Sequence, residues 1–119
     1  MSLNPPFAEI ADPRGVLQAI ELAQLPFHVR RVFLVAGPPD GAWRGDHLVP
    51  CHEWLVLLRG TVDVHLTDVS DGTSTEHFLS QPGDSLELPQ GIFVRYHLAD
   101  EHSQIIVFAD APYDGAGCS

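Results

Sequence analysis

The sequence predicts an all-β sandwich or barrel, and three observations lead there. Short apolar or alternating runs recur along the chain at the spacing of about 8–12 residues that such folds require. Turn-forming residues fall between the runs: PPDG at 38–41, SDGT at 70–73, QPGD at 81–84 and PQG at 89–91. Helical periodicity is missing; only ELAQLP at 21–26 reads as a helical turn, and Pro26 stops it because its ring blocks continuation.

The expected strands follow in order. GVLQAIEL (15–22) and HVRRVFLVAG (28–37) come first; in the second, Arg30 and Arg31 point to opposite faces, so at most one of them faces a cavity. EWLVLLRG (53–60) is apolar on both faces and reads as a central, buried strand that begins with Trp54 in the core. In TVDVHLTDV (61–69), Val62, Val64 and Leu66 alternate with Asp63, His65 and Thr67, which gives one buried and one wet face. EHFLSQ (76–81), DSLELP (84–89), FVRYHLA (93–99) and SQIIVFAD (103–110) complete the set. With 119 residues the chain is long enough for one packed core and too short for two, so residues 1–119 are expected to form a single domain.

Charge narrows the partners. Sixteen acidic residues stand against six arginines, with no lysine, for a net charge of −10. Nucleic acid is excluded as a partner, since its affinity rests on basic groups that neutralise phosphates. The missing lysine also removes Schiff-base chemistry and phosphate-loop catalysis. An anionic ligand must be held by arginine, backbone amides or protonated histidine, and arginine suits a diphosphate because its donor fork pairs two oxygens. No stretch approaches the roughly 18–20 apolar residues of a membrane span, and MSLNPPFAEI has no basic region or apolar signal core. Cys51 and Cys118 are far apart in sequence, so a disulfide framework is not expected. A cytoplasmic protein without a membrane association is the expectation. Exposed edge strands further suggest a homodimer.

The densest cluster of reactive residues is RGDHLVPCHEW at 44–54, ahead of the central strand. It offers a metal reading through His47, Cys51, His52 and Glu53, and an acid/base reading through the histidines. His47 and His52 are five apart with Pro50 between them, so the segment must bend or bulge for both to serve one site. In the strand at 93–99, Tyr96 shares a face with Val94 and Leu98, while Arg95 and His97 share the other with Phe93. An inward apolar face would aim Tyr96 into a barrel; a polar cavity would instead receive Arg95 and His97.

Glu53-x6-Gly60, followed by Gly83-x5-Pro89-x-Gly91, resembles the two motifs of the cupin fold, a small RmlC-like double-sheet jelly-roll barrel. Metal-binding cupins use His-x-His before the glutamate and another histidine in the second motif. Here those positions fall on Leu48 or Val49 and on Val94, so the resemblance implies a site without metal and no cofactor is expected.

A second resemblance spans most of the chain. Asp12, Arg14, Gly15, Leu17, Ile20 and Glu21, then Pro26, Phe27, Arg31, Val32 and Phe33, then Arg44, Gly45 and His47, resemble the motifs of the sugar-nucleotide 3,4-ketoisomerases, the FdtA, QdtA and WxcM-like cupins. Tyr113 and Asp114 resemble that family's closing motif. The resemblance implies a metal-independent isomerase that moves the keto group of a dTDP-4-keto-6-deoxyhexose from C4 to C3 through an enediol, in deoxysugar biosynthesis. It places proton transfer on His47, with Arg44, His97 and His52 as further catalytic candidates. Arg14, Arg31, Glu53, Arg95 and Tyr96 become substrate contacts. Those enzymes contact the sugar from the strand at 93–99, which favours His97 as the inward residue. The chemistry agrees with the residue types: a proton on carbon beside a ketone needs a base that titrates near neutrality, as imidazole does, and the developing enediolate needs donors.

The chain departs from this pattern at the second histidine of H-x-H, where it reads His47-Leu48-Val49. Three further readings follow: a related sugar-nucleotide epimerase or dehydratase, a non-catalytic sugar-nucleotide-binding cupin, and His52 standing in for the missing imidazole.

Overall fold

The structure, a computed structural model, describes residues 7–39 and 41–112. A hairpin of β1 (Phe7–Asp12) and β2 (Gly15–Ile20) forms a small sheet of its own. A 3-10 turn at Leu22–Gln24 follows, at the one place where a helical turn was expected. β3 (Arg31–Ala36), β4 (Arg44–Leu48), β5 (Glu53–Arg59), β6 (Val62–Asp68), β7 (Thr73–Leu79), β8 (Ser85–Leu88), β9 (Phe93–Leu98) and β10 (Gln104–Ala109) then build two four-stranded antiparallel sheets. Their orders are β3-β10-β5-β8 and β4-β9-β6-β7, so successive strands mostly alternate between sheets, as in a jelly roll.

Alternation within each strand decides what fills the space between the sheets. Val62, Val64 and Leu66 of β6, Val94, Tyr96 and Leu98 of β9, Leu55 and Leu57 of β5, and Ile105 and Val107 of β10 form one buried cluster. Each fully buried aliphatic side chain there contributes roughly 1.5–3 kcal/mol. The other face of β5 explains why the run is apolar from Trp54 to Leu57, while Leu58 is exposed. Val56 and Phe108 pack beneath Leu25, with Ile20, Phe27, Val29, Trp54 and Ile106 around them, so the segment after β2 roofs the outer side of that sheet.

Two strands have no counterpart in the expected set, β1 and β4. The R-G-D-H segment of β4 lacks the apolar alternation that marks the others, and it joins the sheet through backbone pairing with β9. The corner before β6 depends on Gly60: its φ is 74°, and a Cβ there would lie 2.2 Å from the Ser103 hydroxyl oxygen. Among the described residues no helix is long and apolar enough to cross a membrane.

Candidate active site

β4 would be an ordinary edge strand except for one irregularity. In a regular strand Arg44 and His47, three residues apart, point to opposite faces. The register of β4 against β9 runs Arg44↔Tyr96 and Gly45↔Arg95, then shifts to His47↔Val94 and Leu48↔Phe93. Asp46 is the extra residue of a β-bulge, and its φ is 58°. Cross-strand partners share a face. Arg44 therefore lies on the face of Tyr96, and His47 on that of Val94, which is the barrel interior.

Three further polar side chains join them from the two sheets. Tyr96 is 5% exposed and hydrogen-bonds Arg44. Glu53, also 5% exposed, starts β5 on the opposing sheet and acts electrostatically on the Tyr96 phenol. Its carboxylate lies 3.6 Å from the Cys51 thiol. Arg31, whose register partner is Ala109, belongs to the inward face of β3 with Phe33 and Val35, and its guanidinium lies 5.0 Å from the Phe33 ring centre. Arg30 is exposed, as the alternation of that strand requires.

The electrostatics favour a neutral phenol. Burial pushes the Tyr96 hydroxyl above its ordinary value of 10.0, and the Glu53 charge adds to the rise. The Arg44 hydrogen bond and positive charge act against these. Together these side chains offer an imidazole able to transfer a proton, a neutral hydroxyl that donates or accepts, and two guanidinium groups for oxyanions, that of half-buried Arg31 and that of exposed Arg44. Val49 is 1% exposed within the core cluster and supplies apolar wall next to His47. Among the described residues, no three His, Cys, Asp or Glu side chains come together as a metal-ligand set.

Four of the expected site residues are elsewhere. Arg95 and His97 lie on the outer face of β9, which corrects the expectation that His97 faces the cavity; the apolar parity of β9 won, and Tyr96 took the inward place. His52 lies beside the Phe27 ring, 4.6 Å between centroids, and pairs with Glu87, on the side of the sheet that the segment after β2 covers. Arg14 sits at the tip of the β1–β2 hairpin with its side chain 89% exposed, bound to Asp12 at 2.7 Å. The Arg14 side chain and backbone N–H together hold the Asp12 carboxyl below its ordinary value. Tyr113 and Asp114 are outside the described residues.

Two aromatic contacts were not legible in the sequence. Trp43 packs on the outer face of the β4-β9-β6-β7 sheet, 4.8 Å from the His65 ring and 5.3 Å from the His97 ring. His65, expected to be only solvated, is half-buried there and lies 3.5 Å from Glu76.

Comparison with known proteins agrees with this architecture. The QdtA 3,4-ketoisomerase of Thermoanaerobacterium thermosaccharolyticum, in a histidine-to-asparagine variant complexed with TDP-4-keto-6-deoxyglucose, superposes with a TM-score of 0.81 at 25% identity, over 91% of this chain and 78% of that one. The WlaRB TDP-quinovose 3,4-ketoisomerase of Campylobacter jejuni gives 0.80 at 25% identity, over 92% and 85%. The RmlC epimerase of Mycobacterium tuberculosis shares the fold, with a TM-score of 0.76 at 17% identity over 92% and 62%. No match was found among curated proteins. The sequence matches the family described as FdtA, WxcM-like, C-terminal, over residues 5–117, nearly its whole length. This jelly-roll chain belongs to that FdtA family.

Proposed function

We propose that the protein is a metal-independent sugar-nucleotide 3,4-ketoisomerase acting on a dTDP-4-keto-6-deoxyhexose. The observation that supports this most is the bulge at Asp46, which brings Arg44 and His47 to one face beside Tyr96. Structural neighbours at 25% identity and above are sugar 3,4-ketoisomerases, which supports the same reading.

In this reading His47 removes the proton from C3 while the C4 carbonyl oxygen gains one, giving the enediol. The O3 hydroxyl then loses its proton as C3 becomes the ketone, and a proton is delivered to C4. The overall formula is unchanged. Tyr96, held by Arg44, is in this reading the donor to the C4 oxygen that stabilises the enediolate. Arg31 and Arg44 are the groups for the diphosphate. We further propose a cytoplasmic homodimer, with the exposed Ile10, Val16 and Leu17 of the β1–β2 hairpin as contact surface.

The test is incubation with TDP-4-keto-6-deoxyglucose in deuterated water. Deuterium is expected at C4 of the 3-keto product, and His47→Asn is expected to slow its uptake by about 10²–10⁴-fold with TDP binding retained. Uptake unchanged in that variant would overturn the role of His47. The apolar Val49 beside His47 also supports a second reading, a binding protein without turnover; nucleotide-sugar binding by the wild type with no deuterium uptake would select it.

A further inference from the structure

The bulge that aims Arg44 and His47 inward is not favoured by its own backbone. Asp46 has a φ of 58° without being glycine, a conformation that disfavours side chains. Gly45, with a φ of 88°, passes so close to β9 that a Cβ would lie 2.9 Å from the Val94 carbonyl oxygen. Something outside the strand must hold this geometry.

Arg95 is placed to do so. It is the register partner of Gly45, so no side chain on β4 lies directly opposite it. Its guanidinium is 4.4 Å from the Trp43 ring centre, and its Nε is 3.3 Å from the Asp46 carboxylate. That Nε makes no aligned hydrogen bond, so the Asp46 contact is an ion pair. Trp43 and Asp46 are the residues immediately before Arg44 and His47. One side chain on the outer face thus grips β4 at both points where an inward side chain follows. His65 and His97 flank Trp43 and hold the indole under the guanidinium.

We propose that Arg95 is a positioning residue: by clamping Trp43 and Asp46 on the outer face of the sheet it holds the β4 bulge that presents Arg44 and His47 to the barrel interior. This rests on the ketoisomerase reading for its effect on rate, but the geometry of His47 tests it separately.

The experiment compares Arg95→Met, Arg95→Lys and Asp46→Gly with wild type by deuterium uptake at C4, thermal melting, and the ¹⁵N–¹H imidazole spectrum of His47 with and without TDP. Arg95→Met keeps the apolar stem and removes the charge; it is expected to lower kcat by about 10- to 100-fold with KM changed less than about threefold, and to shift or broaden the His47 ring signals. Arg95→Lys, which keeps a cation over Trp43, is expected to restore most of the rate. Asp46→Gly accepts the backbone angle but loses the ion pair, so a smaller change in the same direction is expected, and it serves should Arg95→Met fail to fold. Unchanged His47 signals and rate in Arg95→Met and Asp46→Gly would overturn the proposal. So would equal losses of rate and melting temperature in Arg95→Met and Arg95→Lys. If the wild type takes up no deuterium, the ketoisomerase reading fails, while the His47 spectra of the variants still decide whether the clamp exists.

Discussion

The two faces of β9 are built from alternating residues of one strand, and they do different work. On the inner face Val94, Tyr96 and Leu98 are 2%, 5% and 1% exposed, and only the Tyr96 hydroxyl is polar. On the outer face Phe93, Arg95 and His97 are half-buried, and Arg95 and His97 gather with Trp43 and His65 into a cluster rich in titratable groups. The outer cluster has more histidines, yet the proposed chemistry is assigned to the inner face. What separates them is enclosure: a hydroxyl and an imidazole beside apolar walls interact with substrate in a low dielectric, whereas half-exposed groups are screened.

The largest expected effects break the inner face. Tyr96→Phe removes the hydroxyl that Arg44 binds and is expected to slow deuterium uptake at C4 by about 10²-fold or more, as loss of one oxyanion donor does; nucleotide binding measured by calorimetry should change far less. Gly45→Ala comes next, because it adds a Cβ against the Val94 carbonyl at a φ of 88°. Denaturant unfolding should show a loss of about 1–3 kcal/mol.

A smaller effect sharpens the comparison through pH. The folded-state value of Tyr96 is raised, so the folded chain keeps the phenolic proton more tightly than the unfolded one. Its contribution is whole below the ordinary value of 10.0 and is lost as pH climbs through the raised folded value. Melting temperature should therefore fall in alkali, and Tyr96→Phe should flatten that fall. The smallest effect belongs to the hairpin tip: Arg14→Ala breaks a fully exposed pair with Asp12, and thermal melting should barely move.

Much of the barrel was legible because its strands alternate. Val62, Val64 and Leu66 announce a buried face, and the doubly apolar run from Trp54 to Leu57 has both its covers, the barrel core and the roof of Leu25 and Phe27, while Leu58 is exposed. Arg44, His47, Arg31, Glu53 and Tyr96 were all legible as candidates from their residue types and the motif resemblance; the structure turns these five toward the inner faces of the sheets, with Glu53 and Tyr96 buried, His47 and Arg31 half-buried and Arg44 exposed. The illegible part was direction. β4 has no apolar alternation, and the bulge that reverses the facing of His47 relative to Arg44 rests on one backbone angle at Asp46. His97 was favoured by resemblance to enzymes whose strand contacts sugar, whereas here the burial of Val94 and Leu98 decided the parity. His52 sits past Pro50 on the far side of the sheet because β5 begins there, with Glu53 already turned inward.

The contrast between the two faces is tested most directly by single-turnover deuterium uptake at C4 of the 3-keto product formed from TDP-4-keto-6-deoxyglucose in His47→Asn beside His97→Asn. The inner imidazole should prove indispensable, with uptake lost in the first variant and kept within about tenfold of wild type in the second. Loss of uptake in His97→Asn with retention in His47→Asn would contradict the account.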